Sequence, residues 1–98
     1  MVTIAKNESK CSHCADVLKA LGHPIRLRLV ALLCDGDWNV GAMAEHLELA
    51  QSVVYQPLGI LRTRGLVATR REEGRAVYRL AEPRLKQLIA CIEGCTRG

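Results

Sequence analysis

Apolar side chains recur along this chain at two spacings, and the change from one to the other marks out its elements. From Lys10, Ala15, Leu18 and Leu21 with Val17 alongside make one face of a first helix, for which Gly22 is a suitable stop. His23-Pro24 restarts the chain, with Pro24 at a first-turn position where a missing N–H costs little. Ile25, Leu29, Leu32 and Leu33, supported by Val30, form the stripe of a second helix that ends near Asp35-Gly36-Asp37. Val40, Met43, Ala44 and Leu47 predict a short third helix over Val40 to Leu47, and a fourth follows from Gln51 to Arg64, ended by Gly65. The spacing then shifts to that of strands. Leu66 to Arg71 and Arg75 to Leu80 are rich in Val, Thr and Tyr, and Glu72-Glu73-Gly74 closes a hairpin with Gly where positive φ is needed. A fifth helix starts around Ala81-Glu82-Pro83, carries Leu85, Leu88, Ile89 and Ile92, and fades at Gly94.

The stretch from Ala42 to Arg79 organises the rest. Only Glu48-Leu49-Ala50 separates the third and fourth helices, which is the helix-turn-helix spacing whose second helix enters a DNA major groove. With the hairpin behind it, the pattern predicts a mainly α domain with a small β-hairpin, a winged helix-turn-helix in the order four helices, two strands, one helix. Residues 1–9 show no usable periodicity and read as a flexible N-terminal arm; residues 10–95 read as one DNA-binding and dimerisation domain.

Charge strengthens this picture. The net charge is +4, but residues 1–59 hold five Lys/Arg against six Asp/Glu, whereas residues 60–98 hold nine against four, eight of the nine being arginine. Arginine clustered at the end of one helix and along a hairpin is the electrostatic footprint of a phosphate-binding surface, although a solvated basic face gives the same count. Ninety-eight residues leave much surface exposed, so a dimer is expected. No apolar run approaches the roughly eighteen residues of a membrane span, and MVTIAKNESK lacks an export signal, so the expectation is a cytoplasmic protein with no membrane association. A reducing cytosol keeps thiols free, which turns five cysteines toward metal or redox chemistry.

The strings HPIRLRLVALL, VGAMAEHLELAQS and LGILRTRGLVATRREEGRAVYRL resemble the ArsR/SmtB family of winged-helix metal-sensing repressors over roughly residues 15–90. The likeness is carried by the His-Pro-x-Arg entry to the second helix, the Leu-x-x-x-Gly-Leu-Val exit from the fourth, and the Arg-Arg-Glu-x-x-x-x-x-Tyr-x-Leu wing. It implies a homodimer built on the first and fifth helices, a palindromic operator in double-stranded DNA, and release when an effector binds. No other protein partner is implied. The resemblance lends base contacts to Gln51, Ser52, Val53, Tyr55 and Gln56, where Gln and Ser bond base edges and Val meets a thymine methyl. Arg62, Arg64, Arg70, Arg71 and Arg75 suit phosphate contacts, Arg75 also reaching for a minor groove. One departure stands out. Where many relatives have Ser-x-x-Ser-Gln-His-Leu, this chain has Ser52-Val53-Val54-Tyr55-Gln56-Pro57-Leu58. A proline this deep in a helix costs ~3 kcal/mol, so a kink, a distorted first turn or a late helix start is expected.

Cys11-Ser12-His13-Cys14 is a C-x2-C pair, a spacing common in thiolate sites for Zn2+, Cd2+ or trivalent arsenic. Cys91 and Cys95 form a second pair that shares a face if the last helix persists past Gly94. In the family's dimer the end helices pack together, so the resemblance implies that Cys11, Cys14, Cys91 and Cys95 can converge. Packing is the plainer role for cysteine, and Cys34 at the end of the second helix reads as core or as a redox partner. The family's other sites do not transfer: the Cys-Val-Cys of arsenic and cadmium sensors is Asn39-Val40-Gly41 here, and the fifth helix lacks the His and Asp of zinc sensors. His23 and His46 read as structural.

The expected function is therefore a homodimeric, sequence-specific repressor released by a cysteine-borne effector, either trivalent arsenic or a soft metal. A thiol-redox or persulfide sensor of the same fold is the alternative, bridging Cys34 or an N-terminal cysteine to one on the fifth helix, as in sulfur-sensing relatives. A dimerising module without DNA binding is a third, for which Pro57 speaks. An enzyme is not expected, because Cys11, Cys14 and His13 come with no placed acid or base.

Overall fold

A computed structural model describes residues 3–95. The order is α1 Glu8–Leu21, α2 Pro24–Leu33, β1 Trp38–Asn39, α3 Val40–Leu47, α4 Gln51–Thr63, β2 Val67–Glu72, β3 Arg75–Leu80 and α5 Leu85–Cys95. The three strands form one antiparallel sheet in the order β1-β3-β2. The predicted class holds, with one strand more than the hairpin. Trp38 pairs with Tyr78 and Asn39 with Val77, a two-residue strand too short for alternation to reveal.

Side chains set the helix starts. Asn7 accepts the Lys10 N–H at 2.9 Å, so α1 begins at Glu8, ahead of Lys10, and residues 8 and 9 belong to the helix and not to the expected arm. Residues 3–6 are in turns, and residues 1 and 2 of that arm lie outside the described residues. His23 Nδ1 accepts the Ile25 N–H at 3.2 Å, Pro24 takes the first helical position, and Arg26 Nε donates to the Ala20 carbonyl at 2.6 Å. The His-Pro-x-Arg string is thus a double cap, opening α2 and closing α1. Asn39 Oδ1 accepts the Ala42 N–H at 2.8 Å and opens α3. At the other end of the chain, α5 starts at Leu85, later than expected, because residues 82–87 open with single turns. It then runs through Gly94 to Cys95.

The core gathers Leu29, Val30, Met43, Val54, Leu58 and Leu61, each 0% exposed, with Leu33 and Val67 beside them. This explains Pro57. α4 is helical without a break from Gln51 to Thr63, so neither the late start nor the interruption expected from proline occurs. Removing one backbone hydrogen bond costs ~3 kcal/mol, whereas each fully buried Val or Leu contributes ~1.5–3 kcal/mol. Val54, Leu58 and Leu61 flank the proline on both sides and outweigh it.

The turn chemistry is less favourable. Register pairs Glu72 with Arg75, leaving Glu73-Gly74 as a two-residue loop with φ of +51° and +77°, the type I′ signature. Asparagine suits the first position better than glutamate, whose left-handed conformation costs ~1–2 kcal/mol. Glu73→Asn is expected to raise the thermal midpoint by roughly 2–6 °C, read by circular dichroism; an unchanged or lower midpoint rules out strain at this turn.

The terminal helices are the least covered part of the fold. In α1 only Ala20 and Leu21 are buried, and Leu18, on the predicted apolar face, is 55% exposed. In α5 only Leu85 and Ile89 are buried, with Leu88 and Ile92 half-buried.

Candidate nucleic-acid interface

Because Val54, Leu58 and Leu61 face inward, the 3.6-residue period puts Ser52, Gln56, Gly59 and Thr63 on the outward crest of α4, all exposed. Two clefts flank this crest. On the wing side, a 480 Å3 cleft is lined by Gln51, Tyr55, Arg71 and Arg75, with Asn39 and Gly41 of the α3 start closing it. On the other side, a 650 Å3 cleft runs between α4 and the junction of α1 with α2. Tyr55 is 54% and Val53 42% exposed, large apolar surfaces that the isolated chain leaves in water. The α4 N-cap, Ala50, offers no side-chain acceptor to the first-turn N–H groups.

The adjacent arginines of the wing part company. Strand alternation sends Arg71 to the face shared with Ala76 and Tyr78, toward α4, and Arg70 to the opposite face. There Arg70 Nη1 meets Asp37 Oδ2 at 2.6 Å and Nη2 meets Glu72 Oε2 at 2.8 Å, and the hydrogen bond to Asp37, then that to Glu72, raises the guanidinium pKa. Arg70 therefore ties the wing to the loop before β1, and the structure does not bring it to the groove with the other candidates. Arg71 Nη1 donates to the Gly74 carbonyl at 2.8 Å, bracing the turn from the groove side. Arg62, Arg64 and Arg75 are exposed and make no side-chain hydrogen bond or ion pair among the described residues.

Sequence reasoning missed Asn39 and Gly41 on the wing side and Lys19 and Arg26 on the other. A Cβ on Gly41 would lie 3.3 Å from Gln51 Nε2, so the bare backbone there sets where the Gln51 side chain rests. Nothing short of the packed fold places a first-helix lysine beside the fourth helix.

All five cysteines are free thiols, Cys11, Cys91 and Cys95 exposed, Cys14 and Cys34 half-buried. The unbroken α5 puts Cys91 and Cys95 one turn apart on a common face. Cys11 and Cys14 lie on the α1 stripe that continues through Leu18. Among the described residues of one chain, no three His, Cys, Asp or Glu side chains gather as a metal site requires. The four end-helix thiols alone therefore do not form a site for Zn2+, Cd2+ or arsenite within a protomer. Cys34 is different: burial first, then Asp35, raise its thiol pKa, and it also feels Lys86 and Glu93 of α5. Cys91 lies between those two charged residues in the sequence.

An exposed second helix after a tight turn, backed by a basic wing, defines a winged helix-turn-helix transcriptional regulator. Comparison with known proteins sharpens this. Residues 23–69 match the model of the bacterial regulatory protein, arsR family. The biofilm growth-associated repressor of Xylella fastidiosa is 39% identical over 82 residues, 84% of this chain and 72% of that one. The crystal structure of the transcriptional repressor BigR from Xylella fastidiosa superposes with a TM-score of 0.88 at 34% identity, covering 98% of both chains. HlyU from Vibrio cholerae, a transcriptional activator, is 33% identical over 90% of this chain and 82% of its own. The homodimeric winged helix-turn-helix DNA-binding domain of Mb0332 from Mycobacterium bovis gives 0.78 at 31% identity, over 88% and 80%. The chain belongs to the ArsR family. Its relatives are regulators of transcription, not enzymes, and among the described residues no helix is long and apolar enough to cross a membrane.

Proposed function

We propose that this chain is a homodimeric repressor that binds operator DNA through the crest of α4 and is released by chemistry at its cysteines, acting where the DNA is, in the cytoplasm. The observation that carries the DNA reading is the outward row of Ser52, Gln56 and Thr63 flanked by cationic clefts, with Gln51, Val53 and Tyr55 on its shoulders. Base edges are read by the amides and hydroxyl, and phosphates by Arg62, Arg64, Arg71 and Arg75. Dimerisation rests on the uncovered apolar stripes of α1 and α5 and on the homodimeric Mb0332 domain.

Two chemistries compete for the switch. Soft-metal or arsenite binding draws on the exposed pairs Cys11/Cys14 and Cys91/Cys95, which need a second protomer to supply three or four thiolates. Thiol oxidation draws on Cys34, whose thiol feels Lys86 and Glu93 of α5: with Cys91 it would form a disulfide, two protons leaving and two electrons passing to a persulfide or other oxidant. Burial raises the Cys34 pKa and so lowers its own thiolate fraction.

The experiment is DNA retardation of reduced protein on the chain's own promoter DNA, titrated with arsenite, Cd2+, Zn2+ and a persulfide donor. Salt-sensitive binding by reduced protein is expected, with release blunted in Cys11→Ser/Cys14→Ser and Cys91→Ser/Cys95→Ser for metals, and in Cys34→Ser for oxidation. If none of these variants alters any response, the cysteine switch is wrong; if reduced protein never binds, the DNA reading is.

A further inference from the structure

The 650 Å3 cleft on the side of α4 away from the wing flanks the proposed reading crest, but Lys19, Arg26 and Gly59 within it have been given no contact with DNA so far. Its floor is Gly59, its α4 wall is Gln56, Thr63 and Arg64, and its far wall is Lys19 and Arg26 at the α1–α2 junction. Three cations line it and no carboxylate does. Arg26 is anchored, donating to the carbonyls of Ala20 at 2.6 Å and Lys19 at 3.3 Å, so its charge is held in place without an acidic partner. Lys19 and Arg64 are exposed and make no side-chain hydrogen bond or ion pair among the described residues. Asp16 shares a neighbouring 120 Å3 cleft with Arg64 but forms no ion pair with it among the described residues.

Gly59 supplies an independent observation. Glycine inside a helix is disfavoured against alanine, and α4 already carries Pro57. Nothing in the fold requires it, because a Cβ built at Gly59 would meet no atom within 4 Å. A bare backbone on an exposed crest, unneeded by the protein's own packing, suits close approach by something outside the chain. Gly59 is the ninth residue of α4, past the first turns that address base edges, where a helix leaving a major groove passes its sugar-phosphate wall.

We infer that this cleft seats a segment of the operator's phosphodiester backbone, which crosses Gly59 and is held by Lys19 and Arg64, with Arg26 adding fixed positive charge. The recognition helix is thus gripped from both flanks, by the wing on one side and by the α1–α2 junction on the other. The inference rests on the DNA-binding reading and extends its footprint to a helix otherwise assigned to dimerisation.

The test compares wild type with Lys19→Ala, Gly59→Ala and Lys10→Ala, the last removing a lysine from the opposite side of α1. Affinity for a random-sequence duplex is measured against salt, alongside thermal midpoints. Lys19→Ala is expected to keep its midpoint while the slope of log K against log salt becomes shallower by about 0.9 per protomer. Gly59→Ala is expected to raise the midpoint yet weaken binding about tenfold, the cost of displacing one charge-assisted hydrogen bond. Lys10→Ala should change neither. Opposite signs for stability and binding at Gly59 are what a merely structural glycine would not give. Unchanged slope and affinity in Lys19→Ala and Gly59→Ala, while Arg75→Ala still weakens binding, overturn this inference and leave the DNA reading standing. Absence of salt-dependent binding by wild type overturns both.

Discussion

Leu61→Ala is expected to destabilise the domain by about 3–5 kcal/mol and lower its thermal midpoint by at least about 15 °C. Leu61 is 0% exposed in the last turns of α4, and its carbonyl accepts the Leu66 N–H at 2.9 Å as the chain turns into β2. Truncation therefore opens a cavity where the recognition helix meets the wing. A chain of this length has about 5–15 kcal/mol of stability in total, so the loss removes a large share of it. Neighbouring Ile60 is only half-buried, and Ile60→Ala should cost less than half as much. Urea titrations of the two variants check the ranking. Equal losses at both positions would mean that the inward face of α4 has been misplaced by one residue.

That inward face also explains what could be read from the chain in advance. The helix-turn-helix was legible because α3 and α4 repeat apolar residues over whole turns and Glu48-Leu49-Ala50 leaves no room for another element. The hairpin was legible because Gly74, suited to positive φ, ends a short polar turn between β-rich segments, whereas the positive φ at Glu73 was not legible, glutamate being a poor residue for it. Interactions between elements were less so. Periodicity placed Leu18 on an apolar face of the first helix, but it does not say whether such a face meets its own chain or a second one. Composition scored Arg70 and Arg71 alike; only the strand register separates the arginine paired with Asp37 from the one facing α4. Pro57 misled for a related reason, since a local penalty was weighed without the three buried neighbours that override it.

The cysteines show the same division. Spacing identified two pairs, and the unbroken α5 keeps Cys91 and Cys95 on a common face. Spacing was silent on Cys34, whose thiol feels the charges of Lys86 and Glu93 about fifty residues further along the chain. In the proposed reading, DNA recognition and control are separated in space: the crest of α4 and the wing would address DNA, while every thiol lies on α1, at the end of α2 or on α5. Chemistry at the thiols would then act by moving two reading heads relative to one another, since no cysteine lies on α4 or the wing.

Leu18→Glu isolates that coupling. Leu18 is 55% exposed in one chain, so the substitution should leave the protomer's own stability within about 1 kcal/mol of wild type. In a twofold dimer each residue counts twice. Dimerisation can bury only the exposed half of each Leu18, roughly half of the ~1.5–3 kcal/mol of a full burial, so losing two of them weakens dimerisation by ~1.5–3 kcal/mol, or roughly ten- to two-hundredfold, before any cost of burying carboxylates. DNA affinity follows, because a dimer engages its second half-site at high effective concentration and a monomer does not; a fall of roughly 10²–10⁴ is expected. Sedimentation and DNA binding measured on one preparation test both steps. A variant that stays dimeric and binds normally would place the interface away from the α1 stripe, and Cys11 and Cys14 with it; a monomer that binds DNA as tightly as wild type would mean that a single reading head suffices, leaving the end-helix thiols no lever over DNA affinity.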